Sequence, residues 1–280
     1  MFNRYILLIL ALVCYLSGNA QLSTSKLFFD HLTTEEGLAH NYILSIFQDE
    51  DGFVWLGSDN GLNRYDGQHI DILSSNTKPA LGGNRIRRII QDKSKTLWIL
   101  HENGLDMMDH YTQHIRSFLY GRELKKHILG FGLDDNGDLA AFTESDILLY
   151  NSNSGSFDIK QTAPANFLFS AFVKCGNRYY LGTRRHGIIV YNENWKLLEH
   201  IYPTSIQGGI LEDGLISLLR VDSNGSIWSV MAGLCIQKYD PVTRIVQTYP
   251  LSAHSVINRE VRDIIELNAD YMLVGTFNGL

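Results

Sequence analysis

The chain has 280 residues, with 24 Lys and Arg against 30 Asp and Glu, for a formal net charge of −6. Acidic chains lack the clustered cations that phosphate backbones and anionic membrane surfaces require, so nucleic acid is not an expected partner. A hydrophobic share of 45% suffices for a sizeable core, and one all-β domain of this length is ordinary.

Residues 1–20 read as a signal peptide. Arg4 gives the positive start, residues 5–16 form an apolar run, and Ser17-Gly18-Asn19-Ala20 offers small residues for cleavage after Ala20. The run is short for a membrane-spanning helix. Val13 before Cys14 is too bulky for a lipoprotein signal. No second apolar run follows, so an exported, soluble, periplasmic chain is expected. Residues 21–40 form a lead-in. Within it, residues 27–32 resemble a fourth strand without three predecessors, which suggests a closing strand for the last blade of a ring.

From residue 41 onward a repeat of about 43 residues organises the chain. Asn41 falls on Asn84, Asp49 on Asp92, Trp55 on Trp98, Gly61-Leu62 on Gly104-Leu105 and Asp66 on Asp109. Later copies are looser but in phase. The third has Asp135-Asn136-Gly137, with Ala140 where Trp55 stood. The fourth has Gly182, Gly187 and Tyr191-Asn192. The fifth has Asp222, Trp228, Gly233-Leu234 and Tyr239-Asp240. The sixth has Leu273-Val274-Gly275 and ends at Gly279-Leu280.

In the first copy the pattern predicts strands over 42–48, 53–57, 62–65 and 69–73. The turns fall at Asp49 to Gly52, at Asp59-Asn60-Gly61 and at Asp66-Gly67. The second strand is apolar on both faces, which suits a sheet packed between two neighbours. Four short strands per repeat predict an all-β propeller of four-stranded blades. The blades are expected to start near residues 41, 84, 124, 166, 213 and 258, with about five and a half present. The ring is then incomplete, and the unpaired edges predict a fragment that is poorly stable alone or associates.

The motifs carrying chemistry are few. Asp49-Glu50-Asp51-Gly52 resembles the start of a calcium loop, but the twelfth position is Asn60 rather than Glu, and recurrence with the repeat favours a turn. Trp55, Trp98 and Trp228 share one phase on the second strand, which favours packing between blades over a sugar-stacking platform. Gly57, Gly182 and Gly275 are expected to permit close approach of strands or blades. His110 and His114 lie on a strand-turn-strand stretch, a poor setting for a metal pair. Cys175 and Cys235 read as separate thiols. No catalytic motif appears, and no metal or cofactor is expected. The cluster Thr183-Arg184-Arg185-His186 departs from the repeat, since its turn is one residue longer than Ser58-Asp59-Asn60. Arg184, Arg185 and His186 are therefore the candidate ligand contacts, suited to an anionic group such as a uronate carboxylate.

The run Ile46-Phe47-Gln48-Asp49-Glu50-Asp51-Gly52-Phe53-Val54-Trp55-Leu56-Gly57-Ser58, followed by Gly61-Leu62-Asn63-Arg64-Tyr65-Asp66, resembles the two-component-regulator propeller repeat. Ser58 replaces the usual Thr. The resemblance is close in the first two copies, partial in the fifth and loose elsewhere. It implies the N-terminal part of a Bacteroidetes-type hybrid sensor that responds to glycan fragments. A further propeller, a β-sandwich, a membrane helix and a histidine kinase would follow, and the full-length protein would be a homodimer. Any kinase activity would then lie in those later modules. A periplasmic propeller lyase or hydrolase, or a secreted scaffold or adhesion protein, are the other readings.

Overall fold

The computed structural model describes residues 31–134, 136–201, 214–251, 261–268 and 271–276. The expected signal peptide, most of the candidate closing strand and the last residues of the sixth copy lie outside the described residues. All elements below fall within the unit Thr33–Leu280.

The chain folds as a β-propeller of five four-stranded antiparallel blades followed by a two-stranded sheet. Blade 1 comprises β1 (Ile43–Gln48), β2 (Val54–Ser58), β3 (Gly61–Tyr65) and β4 (Ile70–Leu73). Blade 2 comprises β5 (Ile86–Gln91), β6 (Leu97–His101), β7 (Gly104–Met108) and β8 (Ile115–Leu119). Blade 3 comprises β9 (Gly130–Leu133), β10 (Leu139–Phe142), β11 (Asp146–Asn151) and β12 (Ser156–Thr162). Blade 4 comprises β13 (Phe169–Cys175), β14 (Arg178–Thr183), β15 (Ile188–Asn192) and β16 (Leu197–Ile201). Blade 5 comprises β17 (Ile216–Val221), β18 (Ile227–Met231), β19 (Cys235–Tyr239) and β20 (Val246–Pro250). The sixth sheet pairs β21 (Val261–Asn268) with β22 (Tyr271–Thr276). Each blade is a simple meander, with its strands hydrogen-bonded in sequence order. The first strands of successive blades run beside one another, β1 with β5, β9 with β13, β13 with β17 and β17 with β21, and so face the central channel.

One acidic side chain closes the first turn of four blades. Asp49 Oδ1 accepts the backbone N–H groups of Asp51 and Phe53. Asp92 does the same for Ser94 and Thr96, Asp134 for Asn136 and Asp138, and Asp222 for Asn224 and Ser226. Each side chain thus substitutes for the backbone partners that a tight turn cannot supply. The second oxygen takes the indole. Trp55 Nε1 donates to Asp49 Oδ2 at 2.7 Å, Trp98 to Asp92 at 2.8 Å and Trp228 to Asp222 at 2.9 Å. A large ring is thereby packed with its polar N–H satisfied. Trp98 lies fully buried, edge-on to Tyr150 of blade 3 at 4.7 Å between centroids.

A second set of acceptors closes the hairpin between third and fourth strands. Asp66, Asp109, Asn151, Asn192 and Asp240 each accept two backbone N–H groups there. The repeat positions Asp66, Asp109 and Asp240 are thus turn acceptors. Gly61 and Gly104 begin third strands with φ of +133° and +153°, where an L side chain is strained.

Close blade packing explains the second-strand glycines. A methyl group on Gly57 would come within 2.7 Å of Ile86 Cγ2 and 2.9 Å of the Ile86 carbonyl oxygen, on the first strand of the next blade. One on Gly182 would come within 2.7 Å of Ile216 Cγ2. Gly275 differs, since among the described residues a methyl there would meet ordinary contacts at 3.7 Å and beyond, within its own sheet. Blade 3 inverts the arrangement. Phe142 occupies the equivalent place, and its paired partner Gly130 supplies the space.

The blade interfaces form the core. Ile89, Phe172, Leu219 and Ile264 hold equivalent places on β5, β13, β17 and β21, and all are buried. Their counterpart on β1, Ile46, is 70% exposed. Among the described residues, none covers Ile46 on the face of blade 1 turned away from blade 2. Cys175 and Cys235 are not joined in a disulfide.

Candidate functional site

The two rims of the propeller differ in chemistry. One carries the Asp-closed turns. On the other, turns between second and third strands meet the segments leading into first strands, as in the bonds from Gly61 N–H to the Asn84 carbonyl and from Arg184 N–H to the Leu168 carbonyl. Hydroxyls shape this second rim. Ser58, Thr143 and Thr183 each donate to a backbone carbonyl across the turn and accept backbone N–H groups within it.

Blade 2 places His101 where blade 1 has Ser58. Its Nδ1 accepts the Asn103 N–H at 3.2 Å, which leaves the proton on Nε2. That nitrogen lies 3.3 Å from Asp106 Oδ1, with both side chains fully buried. Asp106 Oδ2 accepts the Gly82 N–H at 2.8 Å. Asn63, the counterpart of Asp106 in blade 1, accepts the Ala39 N–H at 2.7 Å and donates to the Leu56 carbonyl. Both residues fasten the segment that leads into their blade. Full burial keeps the His101–Asp106 pair from any ligand.

The longer turn of blade 4 puts Arg184 and Arg185 beside Gly214 and Leu215 at the start of β17. Together these line an open depression of about 660 Å³ on the second rim. Arg184 is already engaged, its Nη2 lying 2.5 Å from Glu144 Oε1 of blade 3. Arg185 is exposed and has no hydrogen bond or ion pair among the described residues. His186 does not line the depression. Its ring packs on Phe167 at 4.3 Å between centroids, and its carbonyl meets the His200 ring. Of the three candidates, the geometry keeps Arg185 available and ties the other two to structure.

Elsewhere, His110 Nε2 lies 2.9 Å from Asp51 Oδ2, a contact between the Asp-closed turns of blades 2 and 1. No group of three or more metal-ligating side chains occurs among the described residues.

Sequence reasoning passed over a second cluster, inside the channel. Arg220 Nη2 of β17 lies 2.8 Å from Asp263 Oδ1 of β21. Arg88 of β5 lies within electrostatic reach of both. Its guanidinium sits over Phe131 of β9, 5.7 Å from the ring centroid. Burial pulls the Arg88 pKa down to about 10, and the like charge of Arg220 adds to that. Arg87 and Arg262 occupy equivalent β-bulges, between Ile86 and Arg88 and between Val261 and Asp263. Bulges re-aim side chains, and both arginines line a depression of about 700 Å³ together with Arg85 and Asp263. One signal was present in the sequence. Arg87-Arg88 stands where the first copy has Leu44-Ser45.

Residues 37–60 match the family model described as two component regulator propeller. This stretch holds the Asp49 turn, the Trp55 strand and the Ser58 turn. This stretch is a two-component-regulator propeller repeat. No curated protein matches the sequence of this regulator propeller. Its fold is similar to the extracellular domain of a protein from B. thetaiotaomicron described as a hybrid two component system, BT3049. That similarity has a TM-score of 0.68 at 18% identity and covers 88% of this chain and 34% of that one. The regulator propeller thus spans about a third of that solved domain. PorZ of Porphyromonas gingivalis, described as a surface component of the type-IX secretion system, matches at TM-score 0.62 and 16% identity, over 85% of this chain and 38% of that one. Virginiamycin B lyase of Staphylococcus aureus matches at TM-score 0.60 and 11% identity, over 76% and 71%. At such identities these likenesses concern the fold alone.

Proposed function

We propose that this chain is the ligand-recognising propeller of an exported, periplasmic sensor, without catalytic activity of its own. The ligand is an oligosaccharide fragment that docks on the second rim at Arg185. In the full-length protein, signalling passes to sandwich and kinase modules of a homodimer.

One observation carries this reading. The signature residues Asp49, Trp55, Asp66 and their counterparts are bonded to one another or to turn backbone, so they build blades. Arg185, outside the signature, presents an unengaged guanidinium fork to an open depression. Such a fork binds a carboxylate in bidentate fashion. The match of residues 37–60 to the regulator propeller family and the likeness to an extracellular sensor domain support the assignment.

The test is calorimetric titration of the full chain with neutral and uronic disaccharides, with product analysis of each mixture by mass spectrometry. Saturable binding without product, lost in Arg185→Ala, supports the proposal. Turnover of a sugar would make the chain a lyase or hydrolase. Absence of any binding would leave the scaffold or adhesion reading in its place.

A further inference from the structure

We propose that blade 3 carries a binding pocket for a small organic cation, a primary amine with an apolar body, whose ammonium group takes the place that Lys126 Nζ now holds on Asp146. This site is separate from the rim depression at Arg185 and stands whether or not a sugar docks there.

A fixed, buried anion is the first argument. The Asp146 side chain is only 6% exposed, yet it lines a pocket of about 220 Å³ between the segment around Lys126 and the third and fourth strands of blade 3. Its position is held from two sides. The Asp146 N–H donates to Thr143 Oγ1, and the Thr162 hydroxyl donates to Oδ1 at 3.0 Å. Oδ2 and the Ser145 hydroxyl oxygen both face Lys126 Nζ, at 2.5 and 2.7 Å. Two acceptors thus cradle one ammonium. A buried carboxylate in such a place requires a cation, because leaving it unpaired is costly.

The second argument is that the present cation is replaceable. The Lys126 side chain is 55% exposed, and among the described residues its hydrogen bonds run to Ser145 and Asp146 alone. Lys126 belongs to the segment between β8 and β9, outside any strand. On leaving the carboxylate it regains hydration and rotamer freedom, which offset much of the bond it gives up. Lys126 therefore acts as a plug, and an incoming amine competes with it for the same two acceptors.

The third argument is the lining beyond the carboxylate. Leu124, Leu148, Phe157 and Ile159 form the apolar part of the pocket. Leu148 and Ile159 are paired across β11 and β12. Lys126 reaches Asp146 but leaves Ile159 65% exposed. An apolar body the size of one ring would fill the space and cover that surface. Glu123 and Lys125, the other charged residues of the lining, are exposed and opposite in sign. The fixed charge is the negative one of Asp146. An anion is repelled by it, and a neutral molecule cannot replace the ammonium. An apolar wall beside one buried carboxylate selects a cation with an apolar body.

The experiment titrates the full chain at neutral pH and constant ionic strength with 2-phenylethylamine, with phenylacetate and with 2-phenylethanol, three molecules of like shape and different charge. The amine is expected to bind and the other two not. Lys126→Ala removes the competitor and should tighten amine binding by roughly threefold to tenfold. Binding seen in Lys126→Ala alone also supports the site. Asp146→Asn should weaken binding by roughly tenfold or more, the loss of a charge-assisted bond. Ile159→Ser should weaken it severalfold. Ile159 is exposed, so its variant decides the matter if Asp146→Asn fails to fold. Lys196→Ala, in the outer hairpin of blade 4, should leave binding unchanged. Equal binding of all three molecules, no amine binding even in Lys126→Ala, binding no tighter in Lys126→Ala than in the unaltered chain, or undiminished binding in folded Asp146→Asn or Ile159→Ser would overturn the proposal.

Discussion

Trp55 and Asp49 are joined by a hydrogen bond of 2.7 Å from the indole nitrogen to Oδ2, while Oδ1 of the same carboxylate closes the turn between their strands. One side chain thus fixes a turn and orients the largest ring of the blade. Asn at position 49 would present an amide N–H₂ to the indole N–H if its oxygen kept the turn. Asp49→Asn should therefore cost about 1–3 kcal/mol in urea unfolding, the penalty of a buried unpaired donor. Asp134 is the internal control. Its blade has Ala140 in the Trp place and no indole to satisfy. Asp134→Asn should cost under about 1 kcal/mol.

Gly57 and Gly275 hold the same repeat position with different surroundings. Gly57→Ala forces a methyl against Ile86 backbone and side chain, and should cost about 1–3 kcal/mol. Gly275→Ala meets ordinary contacts and should change stability by less than about 0.5 kcal/mol. Paired denaturant midpoints read the difference directly.

His101 and Asp106 replace the Ser58 and Asn63 of blade 1 as a pair. Changing Asp106 alone to Asn sets an amide N–H₂ against the His101 Nε2–H. Changing both, His101→Ser with Asp106→Asn, restores the blade 1 chemistry. A double-mutant cycle should therefore show a favourable coupling of roughly 1–3 kcal/mol. Additive losses would show that the two positions act independently.

Much of this was legible in the sequence. The predicted strand over 53–57 is observed as Val54–Ser58, because alternation and turn glycines fix a strand to within a residue. The placement of Trp55 and Trp98 at blade interfaces followed from their common phase. Their bonds to Asp49 and Asp92 did not, since the signature shows a spacing but not which oxygen faces the ring. The channel cluster was hidden for a different reason. Arg88, Arg220 and Asp263 lie in three separate repeats, and only closure of the blades around an axis makes them neighbours. His186 shows what adjacency in the chain leaves undetermined. Its proximity to Arg185 in the chain suggested a shared role, yet the turn directs its ring onto Phe167.

Two buried carboxylates set the acid limit. Burial pushes Asp222 up, but hydrogen bonds from Lys238, Trp228 and the Ser226 N–H outweigh it and hold the carboxyl below its ordinary value. Asp146 is likewise held down, against burial, by Lys126, Ser145 and Thr162. A depressed folded-state pKa gives stability that is complete above the unfolded value near 4 and is lost as pH falls through the folded value. Unfolding free energy should therefore be flat with respect to these groups above about pH 5 and should fall below about pH 4. Asp222→Asn should be less stable at neutral pH and show a shallower acid slope.

The partition between blade-building and binding residues is tested most directly by measuring stability and ligand affinity together in Asp92→Asn and Arg185→Gln. The measurement pairs urea unfolding with titration of whichever disaccharide binds the unaltered chain. Asp92→Asn should lose about 1–3 kcal/mol of stability yet keep its affinity per folded molecule. Arg185→Gln should keep its stability and lose roughly tenfold or more in affinity. Reduced affinity in Asp92→Asn with stability intact would place the signature residues in the binding site, and would contradict this account.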